Sequence, residues 1–507
     1  MPVSSNKSSH GQILKSSALI GGSTAISILV GMIRVKFTAI YLGTLGVGLF
    51  GAYNTILGPV STLAGLGINS SGVRQIAEAA GQGDQEKIAR SLLAVRRSAW
   101  VTGLLGMLLM LVLSYPLCVA TFGNANQVFP LCALSLTILI GSVAGGLGAI
   151  IQGLRRIRDL ATQAMLGSIF SLPIAIPMMM LWGVKALVPM MLTSSLVAFF
   201  VTWWFARRIK LVPVTMSWQE TWMEAKPMLH LGAVLMSTNL ISAGAIYLQR
   251  VLIIRQLGLE ANGIYSSAFN LSSYYIGFIL GAMGADFYPR LTEVNHDHTQ
   301  VNRLVNEQTE VGLLLALPGI ILTLTLAPLV ITLFYTSEFM PAVEVLRWQT
   351  LGLMLRLVSW PMAFIMLAKG EKHLYFWVEL TTHLVSVALM WAGIKLFGLV
   401  GTGVAFFALY LFYTVFMLIV TARLTGYSWG AFSQKLLTWT ALVLAVALTA
   451  SWTLALRYGA VIGLTLAAIV GWYSLRTLTR LTGKNPVTAA WHKLTNAIQV
   501  KPGIDRK

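Results

Sequence analysis

Between residues 16 and 479 the chain passes through fourteen stretches of about 20 mostly apolar residues, separated by short polar connections. The first two lie at 16–42 and 47–73 and the last two at 434–456 and 459–479; between them are 309–335, 373–396 and 399–422, among others. Such stretches match the hydrocarbon thickness of a bilayer, where each backbone must satisfy its own hydrogen bonds, so helices are expected. Strands of a membrane barrel would be about 10 residues long with strict alternation, and no such alternation occurs. Composition agrees, with only 10% charged residues against roughly 25% in soluble domains. The expected fold class is an all-α polytopic membrane protein with about 14 transmembrane helices. Pro59, Pro173, Pro177, Pro318 and Pro361 fall inside spans, which membranes tolerate where neighbours re-satisfy the backbone.

The net charge of +19 would suit a nucleic-acid binder, but its distribution points elsewhere. With both termini in the cytoplasm, 27 of the 36 Lys and Arg lie in inner segments and only three, Lys185, Lys395 and Arg457, lie outside. This positive-inside asymmetry predicts cytoplasmic termini and explains the charge as membrane orientation, with no nucleic acid as partner. The outer connections are too short to hold a soluble domain. The polar opening, MPVSSNKSSHGQILKSS, is too long for a signal peptide, so the first apolar run is expected to be retained. Cys118 and Cys132 form no CxxC or zinc spacing, and no metal or other cofactor is expected. GVGLFG (46–51) satisfies GxGxxG but joins two spans with no preceding strand, and no GxxxxGK[ST] occurs, so neither a dinucleotide site nor an ATPase is expected.

Offset by about 215 residues, the chain resembles itself. LGTLGVGLFGAYN (42–54) lies over LGLEANGIYSSAFN (257–270), matching Gly43 to Gly258, Gly48 to Gly263 and, after a gap, Asn54 to Asn270. GLRRIRDL from Gly153 lies over GEKHLYFW from Gly370, and Gly183 meets Gly398. The expected organisation is a tail (1–13), a six-helix lobe (14–210), a linker (211–228), a second six-helix lobe (229–425), two additional helices (434–480) and a basic tail (481–507). Parallel repeats of this kind enclose a substrate path at their interface, so a central cavity is expected.

The six remaining cations fall inside spans: Arg34, Lys36, Arg250, Arg255, Arg347 and Arg356. Arg34 and Arg250 are repeat-equivalent. They are read either as guanidinium forks facing a central cavity, suited to bidentate phosphate binding, or as side chains snorkelling to the outer interface. Lys36, about 200° around the helix from Arg34, and Arg255 are expected to snorkel. Arg356 is a further cavity candidate, and Arg347 is expected to pair with Glu344. Glu379 and His383, four apart on one face, suit proton or cation coupling or a structural hydrogen bond. Asn54 and Asn270 offer amides to sugar hydroxyls or to neighbouring helices.

LVGMIRVKFTAIYLGTLGVGLFGAYNTI, the small-residue-rich GPVSTLAGLGINSSGVRQIAE and the QGLRRIRD turn together resemble the polysaccharide transporters of the multidrug/oligosaccharidyl-lipid/polysaccharide exporter superfamily, and within them the Wzx-type O-antigen flippases. The resemblance spans residues 12–480. It implies two lobes that open a cavity alternately to each side of the bacterial inner membrane, without ATP hydrolysis. The implied cargo is an undecaprenyl-pyrophosphate-linked oligosaccharide, the implied energy source a proton or sodium gradient, and the implied partners a polysaccharide polymerase and chain-length proteins. Arg34 matches the first-helix arginines that line the cavity in related peptidoglycan-precursor flippases. The drug-exporting branch buries carboxylates for cationic substrates, whereas the candidates here are basic. Two competing readings are a cation or drug antiporter of the same fold and a membrane polysaccharide polymerase, which would need a sizeable outer loop.

Overall fold

The computed structural model describes residues 5–209 and 212–482, with residues 5–20 given by backbone alone. Residues 1–4 of the expected N-terminal tail and most of the expected basic tail, 483–507, lie outside the described residues. All regular structure among the described residues is helical. In chain order the helices are α1 (Ser5–Gly65), α2 (Ile68–Gln82), α3 (Gln85–Phe122), α4 (Val128–Gly153), α5 (Ile157–Trp182), α6 (Leu187–Ala206) and α7 (Trp218–Leu257). They continue with α8 (Leu259–Glu293), α9 (His298–Thr325), α10 (Ala327–Phe334), α11 (Ala342–Ala368), α12 (Lys372–Thr425), α13 (Ala431–Thr453) and α14 (Leu456–Thr482). Every expected span is helical, though 47–73 and 309–335 are each divided between two helices, and the molecule is an all-α, multi-pass membrane protein. Leu104, Leu105, Leu108 and Val112 of α3 are exposed, an apolar face that water would not tolerate and lipid requires.

Helix number and span number match by compensation. Gly43 (φ 62°, ψ −166°) divides α1 into two spans, and Gly398 (φ 59°, ψ −133°) divides α12. Only glycine enters that backbone region without steric cost. The second expected span, 47–73, stops instead at Gly65; α2 then buries Ile68, Gly72, Ile76 and Ala79 on one face and exposes the Arg74–Glu78 ion pair. The expected span 309–335 likewise ends at Thr325. Pro328 has no N–H for the carbonyl of Leu324, and Arg347 Nε reaches that carbonyl at 3.4 Å instead. Arg347 also forms the expected pair with Glu344 at 2.5 Å.

By chain packing the molecule divides into two units. The first comprises the chain through Ala268 with Ile331–Ala342 and Phe376–Thr402; the second comprises Phe269–Val330, Val343–Tyr375 and the chain from Gly403. Lipid tails are as apolar as leucine, so close packing rather than burial from water holds such helices together. In the first unit, Tyr53, Ile56 and Leu57 of α1 pack with Met110, Leu131, Leu134, Met179 and Leu187. Gly106 admits Ala64, and Gly146 admits Ala99. In the second unit, Leu313, Leu317 and Ile320 of α9 pack with Leu353 and Leu357 of α11, Leu444 of α13 and Ala467 of α14.

Local geometry repeats at the 215-residue offset. Arg155 N–H donates to Gln152 O, Arg156 N–H to Ile151 O and Ile157 N–H to Arg155 O; Gly370, Glu371 and Lys372 donate to Leu367, Met366 and Gly370 in the same pattern. The matched positions are Arg155 (φ 55°) and Gly370 (φ 72°), so the register in this turn is two residues from the one that aligns Gly153 with Gly370. Positive φ is shared as well by Gly43 and Gly258 and by Gly183 and Gly398.

The N-caps of α3 and α9 are also alike: Asp84 accepts from Glu86 and Lys87 N–H, and Asp297 from Thr299 and Gln300 N–H. The Gln300 backbone N–H, followed by its side chain, holds Asp297 below the usual carboxylate range, and the Ser217 backbone N–H does the same for Glu220 in the α7 capping box. A depressed folded pKa means stabilisation that is present above the unfolded value, about 4, and is lost as pH falls through the depressed one. Amide exchange in the first turns of α7 and α9 is therefore expected to lose protection below about pH 4, and D297N should remove that response in α9.

Candidate functional site

Within the first unit, α1, α5 and α6 leave a cavity of about 320 Å³ between them. Each helix lines it with one face at helical spacing: Ser27, Gly31 and Arg34 from α1, Gln163, Gly167 and Ser171 from α5, and Ser194, Ala198 and Thr202 from α6. At 1.5 Å per residue these faces run for about 10–12 Å. Small side chains open the space, since a leucine at Gly31, Gly167 or Ala198 would fill it. Among the described residues lining the cavity, Arg34 is the one that is charged and none is a carboxylate.

Arg34 is half-buried. Its Nη2 donates to Ser194 Oγ at 3.0 Å, and its guanidinium lies 5.8 Å from the Phe50 ring centroid. Ser27 Oγ and Gln163 Oε1 are buried at the cavity without a protein hydrogen-bond partner among the described residues. Buried polar atoms are rarely left so. The cavity therefore offers a fixed cation, a hydroxyl and an amide acceptor to whatever enters it. A guanidinium does not discharge by losing its proton, so the lining is chemically suited to an anion that also carries hydroxyl groups.

The repeat-equivalent Arg250 is placed differently. It is 7% exposed and lines no part of the Arg34 cavity. Its Nη1 donates to Asn262 Oδ1 at 3.0 Å and Ser266 Oγ at 2.6 Å, and its guanidinium stacks on Tyr265 with 4.5 Å to the centroid. Asn262 Nδ2 in turn donates to Gly48 O at 2.8 Å. At this crossing a Cβ on Gly48 would overlap the carbonyl of Leu259, and one on Gly263 would overlap the carbonyl of Thr44. The contact is reciprocal, as in a two-fold interface, and Arg250 braces it through Asn262.

The Lys36 ammonium donates to Thr332 O at 2.8 Å and to Tyr335 O, carbonyls at the end of α10. Such carbonyls lack intrahelical partners and attract cations. Glu379 and His383 are brought together at 3.5 Å, with Ser242 Oγ 2.9 Å from His383 Nε2, in the first unit. Asn54 is exposed and donates to Phe50 O at 2.8 Å. Arg356 and Asn270 belong to the second unit; both are half-buried, and Arg356 lies 5.7 Å from the Tyr410 centroid. Of the residues expected to bind substrate, only Arg34 lines the cavity. Ser27, Gln163, Ser171, Ser194 and Thr202 were not singled out by the sequence, although their spacing of seven (27 to 34) or eight (163 to 171, 194 to 202), two helical turns, was the available signal.

The family described as polysaccharide biosynthesis protein matches residues 48–344. Among curated proteins, the lipid III flippase of Escherichia coli (strain K12) is 23% identical over 408 residues, covering 79% of this chain and 96% of its own. Among solved structures, the lipid II flippase MurJ in an inward closed conformation superposes with a TM-score of 0.68 at 15% identity, covering 92% of this chain and all of its own. An inward-facing multidrug resistance MATE family transporter of the MOP superfamily superposes with a TM-score of 0.61 at 16% identity, covering 80% and 96%. At these identities the structural likeness speaks for the fold.

Proposed function

Since the chain belongs to the polysaccharide biosynthesis protein family and has the fold of MOP-superfamily transporters, we propose that it is a flippase for a lipid-linked oligosaccharide. The cargo is an undecaprenyl-pyrophosphate-linked repeat unit of O-antigen or a related surface polysaccharide. Alternating access carries it from the cytoplasmic to the periplasmic leaflet of the bacterial inner membrane, with both termini cytoplasmic as the basic connections favour. A polymerase and its chain-length proteins then consume it.

One observation supports this reading above the others: a permanent cation set among hydroxyl and amide groups inside a membrane helix bundle, with no carboxylate among the described residues that line the cavity. Pyrophosphate suits Arg34, and sugar hydroxyls suit Ser27 and Gln163. About 320 Å³ is at the small end of ligand pockets; it accommodates the pyrophosphate and adjoining sugar but not a whole repeat unit. A cationic drug would be repelled by Arg34, and no carboxylate among the described lining residues offsets that repulsion, which disfavours the antiporter. Coupling to a proton or sodium gradient is assigned to Glu379 and His383; transport that persisted after the gradient was collapsed would remove that role.

Cells lacking the protein test the reading directly. Intact lipid-linked units accumulating on the cytoplasmic leaflet, with surface polymer lost, are the expected result. Unpolymerised units on the periplasmic leaflet would identify a polymerase, and unchanged lipid-linked pools would turn attention to drug export.

A further inference from the structure

A second cavity, of about 740 Å³, lies in the first unit between α3, α4, α6 and the segment at 212–218. Two helices each contribute an apolar residue, an arginine and a tryptophan at i, i+4 and i+8, with arginine and tryptophan in opposite order and Arg207 at the C-cap of α6. From α3 come Leu92, Arg96 and Trp100; from α6 come Phe199, Trp203 and Arg207. Leu147 and Ile150 of α4 complete an apolar wall. The described residues lining this cavity include three arginines and no carboxylate.

One of the three is already occupied. Arg97 donates to Met216 O at 2.9 Å and Thr221 Oγ1 at 2.7 Å, and lies over the Trp218 ring. Arg96 and Arg207 are exposed. Arg96 has no hydrogen-bond or ion-pair partner among the described residues, and Arg207 rests on the Trp203 ring, 5.1 Å from its centroid. Trp100 and Trp203 are 51% and 43% exposed, as indoles are where they sit at the level of lipid headgroups. The cavity is thus an amphipathic slot, with cations and indoles at its rim and an aliphatic and aromatic wall behind. A basic pocket between membrane helices matches the headgroup of an anionic lipid.

We infer that this cavity is a binding site for an anionic glycerophospholipid, with the phosphate held by Arg96 and Arg207 and the acyl chains lying along Leu92, Leu147, Ile150 and Phe199. The site does not depend on the transport reading. Only its assignment to the cytoplasmic leaflet rests on the orientation proposed above, so loss of either conclusion leaves the other standing.

Native mass spectrometry of the full-length protein, titrated with phosphatidylglycerol or phosphatidylcholine in detergent, provides the test. Phosphatidylcholine carries the same phosphate together with a choline cation that the two arginines repel, so wild type is expected to prefer phosphatidylglycerol by roughly 10- to 100-fold. The variant R96Q/R207Q should fall to the phosphatidylcholine level. R96Q alone, which breaks no protein contact, should lose part of the preference and reads the same effect if the double variant misfolds. Equal binding of both lipids to wild type, or an undiminished preference in R96Q and the double variant, would overturn the site. Displacement of bound phosphatidylglycerol by undecaprenyl phosphate at a lower concentration than by added phosphatidylglycerol would overturn its assignment to phospholipid.

Discussion

Replacing Arg34 with glutamine is expected to reduce delivery of lipid-linked units to the periplasmic leaflet roughly 10- to 100-fold, the range set by about 1.5–3 kcal/mol for charged hydrogen bonds. Protein abundance in the membrane should stay close to normal. Arg34 lines a cavity rather than a packed contact, and glutamine keeps a donor for Ser194. R34K should fall between, because an ammonium keeps the charge but not the planar fork that grips two phosphate oxygens. S27A and Q163A remove hydrogen-bonding groups without removing charge, so each should cost less. The measurement is the ratio of cytoplasmic to periplasmic lipid-linked units, with the membrane level of each variant determined alongside. Full delivery by R34Q at normal abundance would withdraw Arg34 from substrate binding.

The second large effect is expected on stability. At Gly48 an added methyl group would overlap the carbonyl of Leu259, which is backbone and cannot rotate away. G48A must therefore spread two helices, with a penalty of about 3 kcal/mol, the upper part of the usual overpacking range. G263A should destabilise about as much, because its methyl group meets the carbonyl of Thr44 in the same way. The double variant should cost less than the sum, since helices already spread by one methyl group have room for the other. Thermal denaturation of the detergent-solubilised protein, followed by size exclusion, reads all three. R250L belongs to the same series. It leaves Asn262 and Ser266 without their donor at a buried site, and a lower denaturation midpoint is expected. An unchanged midpoint in G48A would show that the close approach is not required.

The spans were legible because length and polarity in a membrane leave few alternatives, and the breaks at Gly43 and Gly398 fell in the connections the sequence predicted. Helix ends at Gly65 and Thr325 were not, because apolar residues continue past them; only Pro328 marked the second. The duplication was legible through its glycines, yet matching Gly153 to Gly370 by identity misplaced the turn. The backbone requires a positive φ at that point and obtains it once from glycine and once from Arg155. The cation in the first span could be read as a cavity residue; the groups around it could not. Serine and threonine occur along most membrane helices, often bonded to the carbonyl four residues back, and only tertiary packing decides which of them face a common space. What Lys36 bonds to was hidden for a related reason. Its partners, Thr332 and Tyr335, lie almost 300 residues away in the chain.

The reciprocal crossing of Gly48 and Gly263 also bears on how two equivalent arginines came to differ. A joint made from two copies of one segment holds even when only one copy supplies the brace. Arg250 supplies it here, through Asn262 to the Gly48 carbonyl. Its counterpart Arg34 has no part in that brace. On the function proposed above, the two halves divide the labour, one guanidinium serving as scaffold and the other free to meet the cargo.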